Sequence, residues 1–304
     1  MGASWTDKLF LKFLNIIVYL GCLVLDVYTI LKLETVYFGK ETYFTPSPWI
    51  FAIPALIHIL FLGYIVYQLF PRAKSLILDS ISWTFPLLIL LDAFFINLWF
   101  RQYYIFAFIF SVLISLNLSW VEFSINKSPS IAILRKTLGI IRQAYAEGGN
   151  LPEGALDEPE EIIEENIHDK LWIHLPIALY SGFIIILNIL TLFQAFGVDA
   201  ATEPAGIWTK VLVFLALFVV VRHAPDGTFP TIGINIIISL PTTLTLFAIF
   251  QHQTGSFIRW SAFTFAVISS IIILVKLLLW WFGAKYGSAK VVHDEERAPL
   301  IADN

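Results

Sequence analysis

Charge is what this sequence has least of. Asp, Glu, Lys and Arg make up 14% of its 304 residues, against roughly 25% in an ordinary soluble domain, so it lacks the polar surface that a soluble fold of this length needs. Cysteine is nearly missing as well: Cys22 stands alone, and no intrachain disulfide can form. There is no block of basic residues, no zinc-ligand spacing and no phosphate-cradling glycine loop, which excludes nucleic acid and nucleotides as partners. No Ser falls in a motif with His and Asp, no His cluster has metal-ligand spacing, and no run of arginines resembles a voltage sensor. The expectation is a chain without catalysis, without a metal and without a cofactor.

What fills the space is hydrocarbon. Hydrophobic residues are 58% of the chain, arranged in runs at or beyond the ~18 residues at which a membrane helix becomes the default reading. These runs are continuous rather than alternating, which excludes a membrane barrel. The fold class expected is all-α: a polytopic membrane helix bundle of about eight transmembrane helices, at 14–33, 49–69, 81–99, 103–122, 171–195, 207–221, 231–250 and 259–282. The first run is too long for the core of a signal peptide and no small-residue cleavage site follows it, so it is expected to remain as a span.

One long polar segment divides the chain. The expected organisation is a first four-helix membrane bundle (1–122), a loop (123–170), a second four-helix bundle (171–282) and a disordered tail (283–304). With the N-terminus cytoplasmic, Lys and Arg favour that side by better than two to one, which places both termini in the cytoplasm. In the loop, Ile131, Leu134, Leu138, Ile141 and Tyr145 share one helical face while Arg135, Lys136 and Arg142 lie on others. Such a helix either lies on the membrane lipid surface or packs on the bundle's cytoplasmic face. An acidic linker follows, from Glu153 to Asp169. At the ends, Gly2 and Thr6 fit a myristoylation pattern. Glu296, Leu300 and Ile301 resemble an acidic dileucine sorting signal, which would engage a sorting adaptor and direct the protein to a vacuolar or endolysosomal membrane.

An ionisable group inside a span is costly enough to be a functional hypothesis. Asp26, His58, Asp92 and Lys276 qualify. By helical rise, the first three lie within roughly 5 Å of the midplane, while Lys276 sits roughly 8 Å toward one face and can snorkel. Spans one to three are joined by short connections, so Asp26, His58 and Asp92 are expected to meet, either as a proton-sharing or ligand-binding set or as carboxyls individually hydrogen-bonded to neighbours. Pro54, Pro86, Pro176 and Pro241 fall inside spans and predict kinks.

Three segments resemble the TspO/MBR family, the tryptophan-rich sensory proteins. "FTPSPWIFAIPALIHILFLGYIVYQL" matches its second-span signature at Pro46, Pro48, Trp49, Phe51 and Ile53. "INLWF" matches the following span at Asn97 and Trp99, and "LPIALYSGF" matches a later one at Leu175, Pro176, Leu179, Tyr180 and Gly182. Segments such as "FQAFGVDA" and "LFAIFQHQTGSFIRWSAF" further resemble fungal multi-pass membrane proteins of similar length. The chain departs from the family pattern at Pro54, His58, Ile177 and Phe183. The resemblance implies an aromatic-lined site within the bundle for a small hydrophobic or amphipathic ligand, porphyrin- or sterol-like. Pro48, Trp49, Phe51, Trp99 and Tyr180 would line it, with His58, Asp26 and Asn97 as polar contacts. Two other readings stay open: a proton-coupled secondary transporter using His58 with Asp26 or Asp92, and a membrane scaffold or chaperone acting through the loop.

Overall fold

The computed structural model describes residues 8–32, 40–70, 74–127, 167–223 and 232–295. Eight helices form the body: α1 (Leu9–Lys32), α2 (Ala52–Tyr67), α3 (Thr84–Phe100), α4 (Tyr104–Asn126), α5 (Leu175–Phe196), α6 (Ile207–His223), α7 (Ile232–His252) and α8 (Ser256–Glu295). Five stretches are long and apolar enough to cross a membrane: Leu9–Tyr28, Pro48–Tyr67, Tyr104–Ile125, Ile167–Phe196 and Ser256–Leu278. Thr84–Phe100 and Ile236–His252 are shorter apolar helices. The chain is an all-helical integral membrane protein. The amphipathic loop helix, nearly all of the acidic linker, the Gly2 pattern and the Glu296, Leu300 and Ile301 signal lie outside the described residues. Helix α8 runs on to Glu295, past the start at residue 283 expected for a disordered tail. Strong helix formers such as Ala284, Lys285, Ala289 and Lys290 continue the pattern, and the first proline comes only at Pro299.

Helix α1 shows how the bundle sorts its faces. Phe13, Ile17, Leu20, Val24 and Tyr28 are exposed, spaced for one face of a helix that meets lipid. Its buried stripe is Leu11, Asn15, Tyr19, Cys22 and Asp26. Polar groups point inward because hydrocarbon offers them no hydrogen bonds, whereas a neighbouring helix does. α1 packs on α3, and α5 sits at the centre against α2, α4 and α7. α8 packs on α7 and on α6.

Winding changes account for most of the prolines. Pro54 follows a 3-10 turn, Pro48–Phe51, and Pro176 follows a π-wound segment, Lys170–His174. Pro86 falls in the first turn of α3, after the π-wound Lys74–Ile81. At these three positions the missing N–H coincides with a helix start, where it costs little. Only Pro241 lies inside a regular helix. Three of the four prolines expected to mark kinks therefore sit at changes of winding.

The two ends of the bundle are closed by different contacts. At one, Lys8 pairs with Asp79 at 2.7 Å, Gln68 donates to the Lys12 carbonyl, and the Tyr67 hydroxyl donates to Asp169. At the other, residues 40–47 lie across the ends of α4, α5 and α7. There Lys40 donates to the Gly197 carbonyl, Ser47 N–H to Ala248, and the Gln253 amide to the carbonyls of Thr42 and Thr45. Phe44, fully buried, stacks on Phe193 with centroids 5.7 Å apart. This cap fixes where α2 begins and so sets the height of everything along it.

Candidate functional site

Four helices turn polar side chains toward one another at mid-depth. The buried stripe of α1 brings Tyr19 and Asp26 inward, α2 supplies His58, α3 supplies Asp92 and α5 supplies Tyr180. The Tyr180 hydroxyl donates to Asp92 Oδ1 at 2.5 Å, while Asp92 Oδ2 faces His58 Nε2 at 3.6 Å. The Tyr19 hydroxyl donates to the backbone carbonyl of His58 at 2.6 Å, tying α1 to α2 at this level. Asp26 completes the group: one ligand atom each from Asp26, His58 and Asp92 lie within 4.8 Å of one another. Asp26 is 5% exposed and Asp92 7%. His58 Nδ1 is buried and has no hydrogen-bond partner among the described residues.

An aromatic layer lies about two turns along α2 and α3 from this cluster. Phe51 is seven residues before His58 and Trp99 seven after Asp92, about 10 Å at helical rise in each case. α2 and α3 run in opposite directions, so both offsets point toward the capped end. Phe51 and Trp99 have ring centroids 5.5 Å apart. Phe95 stacks on Trp99 at 6.1 Å, and Phe183 of α5 meets Phe51 edge-on at 6.4 Å. The Trp99 indole N–H donates to Gln194 at 2.7 Å, which orients the ring from the cap side. On the other side of the cluster Phe61 and Phe85 meet at 5.4 Å and contact Tyr180 and Tyr19 at 6.3 and 6.4 Å.

The residues singled out from the sequence thus fall into two places. Asp26, His58, Asp92 and Tyr180 are brought together, and Phe51 and Trp99 form the neighbouring aromatic layer. Pro48 and Trp49 are not part of either. Pro48 opens the 3-10 turn with an exposed ring, and Trp49 is 44% exposed, its indole donating to Gln251 of α7 at 2.7 Å. Asn97 is half-buried near the end of α3, where its carbonyl accepts the Arg101 N–H.

Sequence reasoning passed over Tyr19, Gln194, Glu122 and Ser181. The first had a signal: Asn15, Tyr19, Cys22 and Asp26 recur at i, i+4, i+7 and i+11, one face of a helix and the only polar one on it. Glu122 is buried at the α4–α5 contact, accepting from the Ser181 hydroxyl at 2.5 Å. It is the last residue of the expected fourth span, where a carboxylate reads as lying at the membrane edge.

A family model described as TSPO-like protein matches residues 12–277 of the chain. No curated protein and no solved structure matches it.

Proposed function

The chain belongs to the TSPO-like protein family, and from that membership we propose that it binds a small hydrophobic or amphipathic molecule between its helices. The reading rests on one juxtaposition, an aromatic layer two helical turns from a buried polar cluster. A flat, porphyrin- or sterol-like body would lie against Phe51, Trp99 and Phe183. Its polar end would reach His58, Asp92, Tyr180 and Asp26. Sites for such ligands combine mostly apolar walls with a few placed polar groups, and both components are present here on rigid helices. Gln194 and the cap of residues 40–47 would close the aromatic end.

The test is intrinsic fluorescence of the detergent-purified full chain, which has ten tryptophans, titrated with a porphyrin and separately with a sterol. Saturable quenching is expected, with most of its amplitude lost in Trp99→Phe and kept in Trp208→Phe, since Trp208 is 79% exposed on α6. Phe51→Ala is expected to weaken binding by about tenfold, or ~1.4 kcal/mol. Quenching that rises without saturation, or that Trp208→Phe removes as readily as Trp99→Phe, would overturn the reading.

A further inference from the structure

The polar cluster has a chemical property that hydrophobic-ligand binding does not use. Two carboxylates, Asp26 and Asp92, lie together at mid-depth, and among the described residues neither pairs with a Lys or Arg. Asp92 is satisfied by Tyr180 and faces His58. Asp26 is 95% removed from solvent, points into the cluster, and has no hydrogen-bond partner among the described residues. A buried carboxylate persists when it is paired or coordinates a metal, and the groups beside this one are a second carboxylate and an imidazole.

We propose that Asp26, His58 and Asp92 form a binding site for one divalent transition-metal ion, held between α1, α2 and α3. Two carboxylates and a neutral imidazole cancel the charge of such an ion. Borderline ions such as Zn²⁺ and Co²⁺ take this donor set at about 2.0–2.2 Å per ligand, which places ligand atoms around a tetrahedral ion about 3.3–3.6 Å apart. His58 Nε2 and Asp92 Oδ2 are already 3.6 Å apart. Asp26, whose reach to the others is within 4.8 Å, closes the third position by side-chain rotation. Tyr180 is the positioning residue: by holding Oδ1 of Asp92 it leaves Oδ2 directed at the ion, the usual arrangement of an outer-shell partner. Three protein ligands leave one coordination position open, as in zinc sites that exchange water for another ligand. Calcium and magnesium, which need six or more oxygens, are poorly served. The inference does not rest on the hydrophobic-ligand reading, since the ion binds with the aromatic layer empty.

The experiment uses Co²⁺ alone as probe, added to the full chain in detergent and read by visible d–d absorption. One equivalent is expected to give the intense absorption of a tetrahedral site, displaced by Zn²⁺ and unaffected by excess Mg²⁺ or Ca²⁺. Tyr180→Phe is expected to lower affinity about 10–100-fold, and Asp26→Asn or Asp92→Asn by more. Because a buried charge-to-amide change can unsettle the fold, a variant that keeps a ligand is included. In a Cys22→Ser background, which removes the chain's one cysteine, His58→Cys is expected to add a thiolate-to-cobalt charge-transfer band that a merely structural residue could not create. A cobalt spectrum unchanged by wild-type protein, or a His58→Cys complex without the new band, would overturn the proposal.

Discussion

A β-carbon on Gly182 would run into the backbone carbonyl of Ile238, one helix away. That carbonyl lies beside Ile237, whose own oxygen loses its α-helical donor because Pro241 has no N–H. The glycine of α5 and the proline of α7 therefore belong to one feature, a close backbone approach between the two helices. A β-carbon on Gly63 would instead meet the ring of Trp172, a side chain that can turn, and Gly21 faces open space. The three glycines should rank accordingly. Gly182→Ala is expected to cost about 1–3 kcal/mol, the range for overpacking a contact that cannot shift. Gly63→Ala should cost less and Gly21→Ala nothing. Denaturant unfolding in a fixed detergent checks the order, and an equal effect at Gly21 and Gly182 would show that helix propensity rather than α5–α7 contact controls the outcome. Gly182 was legible as a motif position in "LPIALYSGF", but its reason was not, because the partner carbonyl lies more than fifty residues along the chain.

At the scale of helices, position was readable and orientation was not. A run of about 20 apolar residues announces a span, and each expected span coincides with one of the eight helices. Depth followed from counting, which is why Asp26, His58 and Asp92 could be placed at one level before any face was known. Faces are harder, because a lipid-exposed residue and a core residue are equally apolar. Trp49 and Phe51 lie two apart in one motif, yet Trp49 turns out toward Gln251 and Phe51 turns in toward Trp99. A metal site drawn from three helices leaves no local spacing to detect. The α4–α5 seam shows what does fix faces. Asn188 donates to Ser115 at 2.6 Å, Ser111 and Thr191 meet at 3.3 Å, and Ser181 donates to Glu122. Hydrogen bonds between membrane helices contribute about 0.6 kcal/mol on average and at most about 1.7. A double-mutant cycle on Ser115→Ala and Asn188→Leu is expected to return a coupling in that range. A coupling near zero would mean that small-residue packing alone holds α4 against α5.

For the whole molecule, helix direction puts the start of α1 and the end of α8 on one face, and basic residues gather on that face. The described contacts gather residues 8–12, 67–70, 78–83 and 167–169 at one end and residues 40–47, 104, 197–203 and 248–253 at the other. α1 thus starts at the first end and α8 starts at the second. α8 has 40 residues, about 60 Å at helical rise, twice the roughly 30 Å of hydrocarbon. It must return across the membrane and emerge on the side where α1 began. Lys8, Lys12, Lys74, Lys127 and Lys170 belong to that same side, and its emerging segment adds Lys285 and Lys290. Basic residues resist translocation, so this face should be cytoplasmic. Acceptor sites for N-glycosylation inserted in the 198–205 connection are expected to be modified in microsomes, whereas a C-terminal acceptor tag should remain unmodified. Modification of acceptor tags at both termini would mean the reverse orientation; modification of the C-terminal tag alone would require either that α8 stop short of the far leaflet or that one of the shorter helices, α3, α6 or α7, fail to cross. The cluster would still sit at mid-depth in the first case. In the second, loss of α3 as a span would remove Asp92 from the membrane interior and both site proposals with it, so the orientation experiment also tests whether the bundle that holds the site exists in the bilayer.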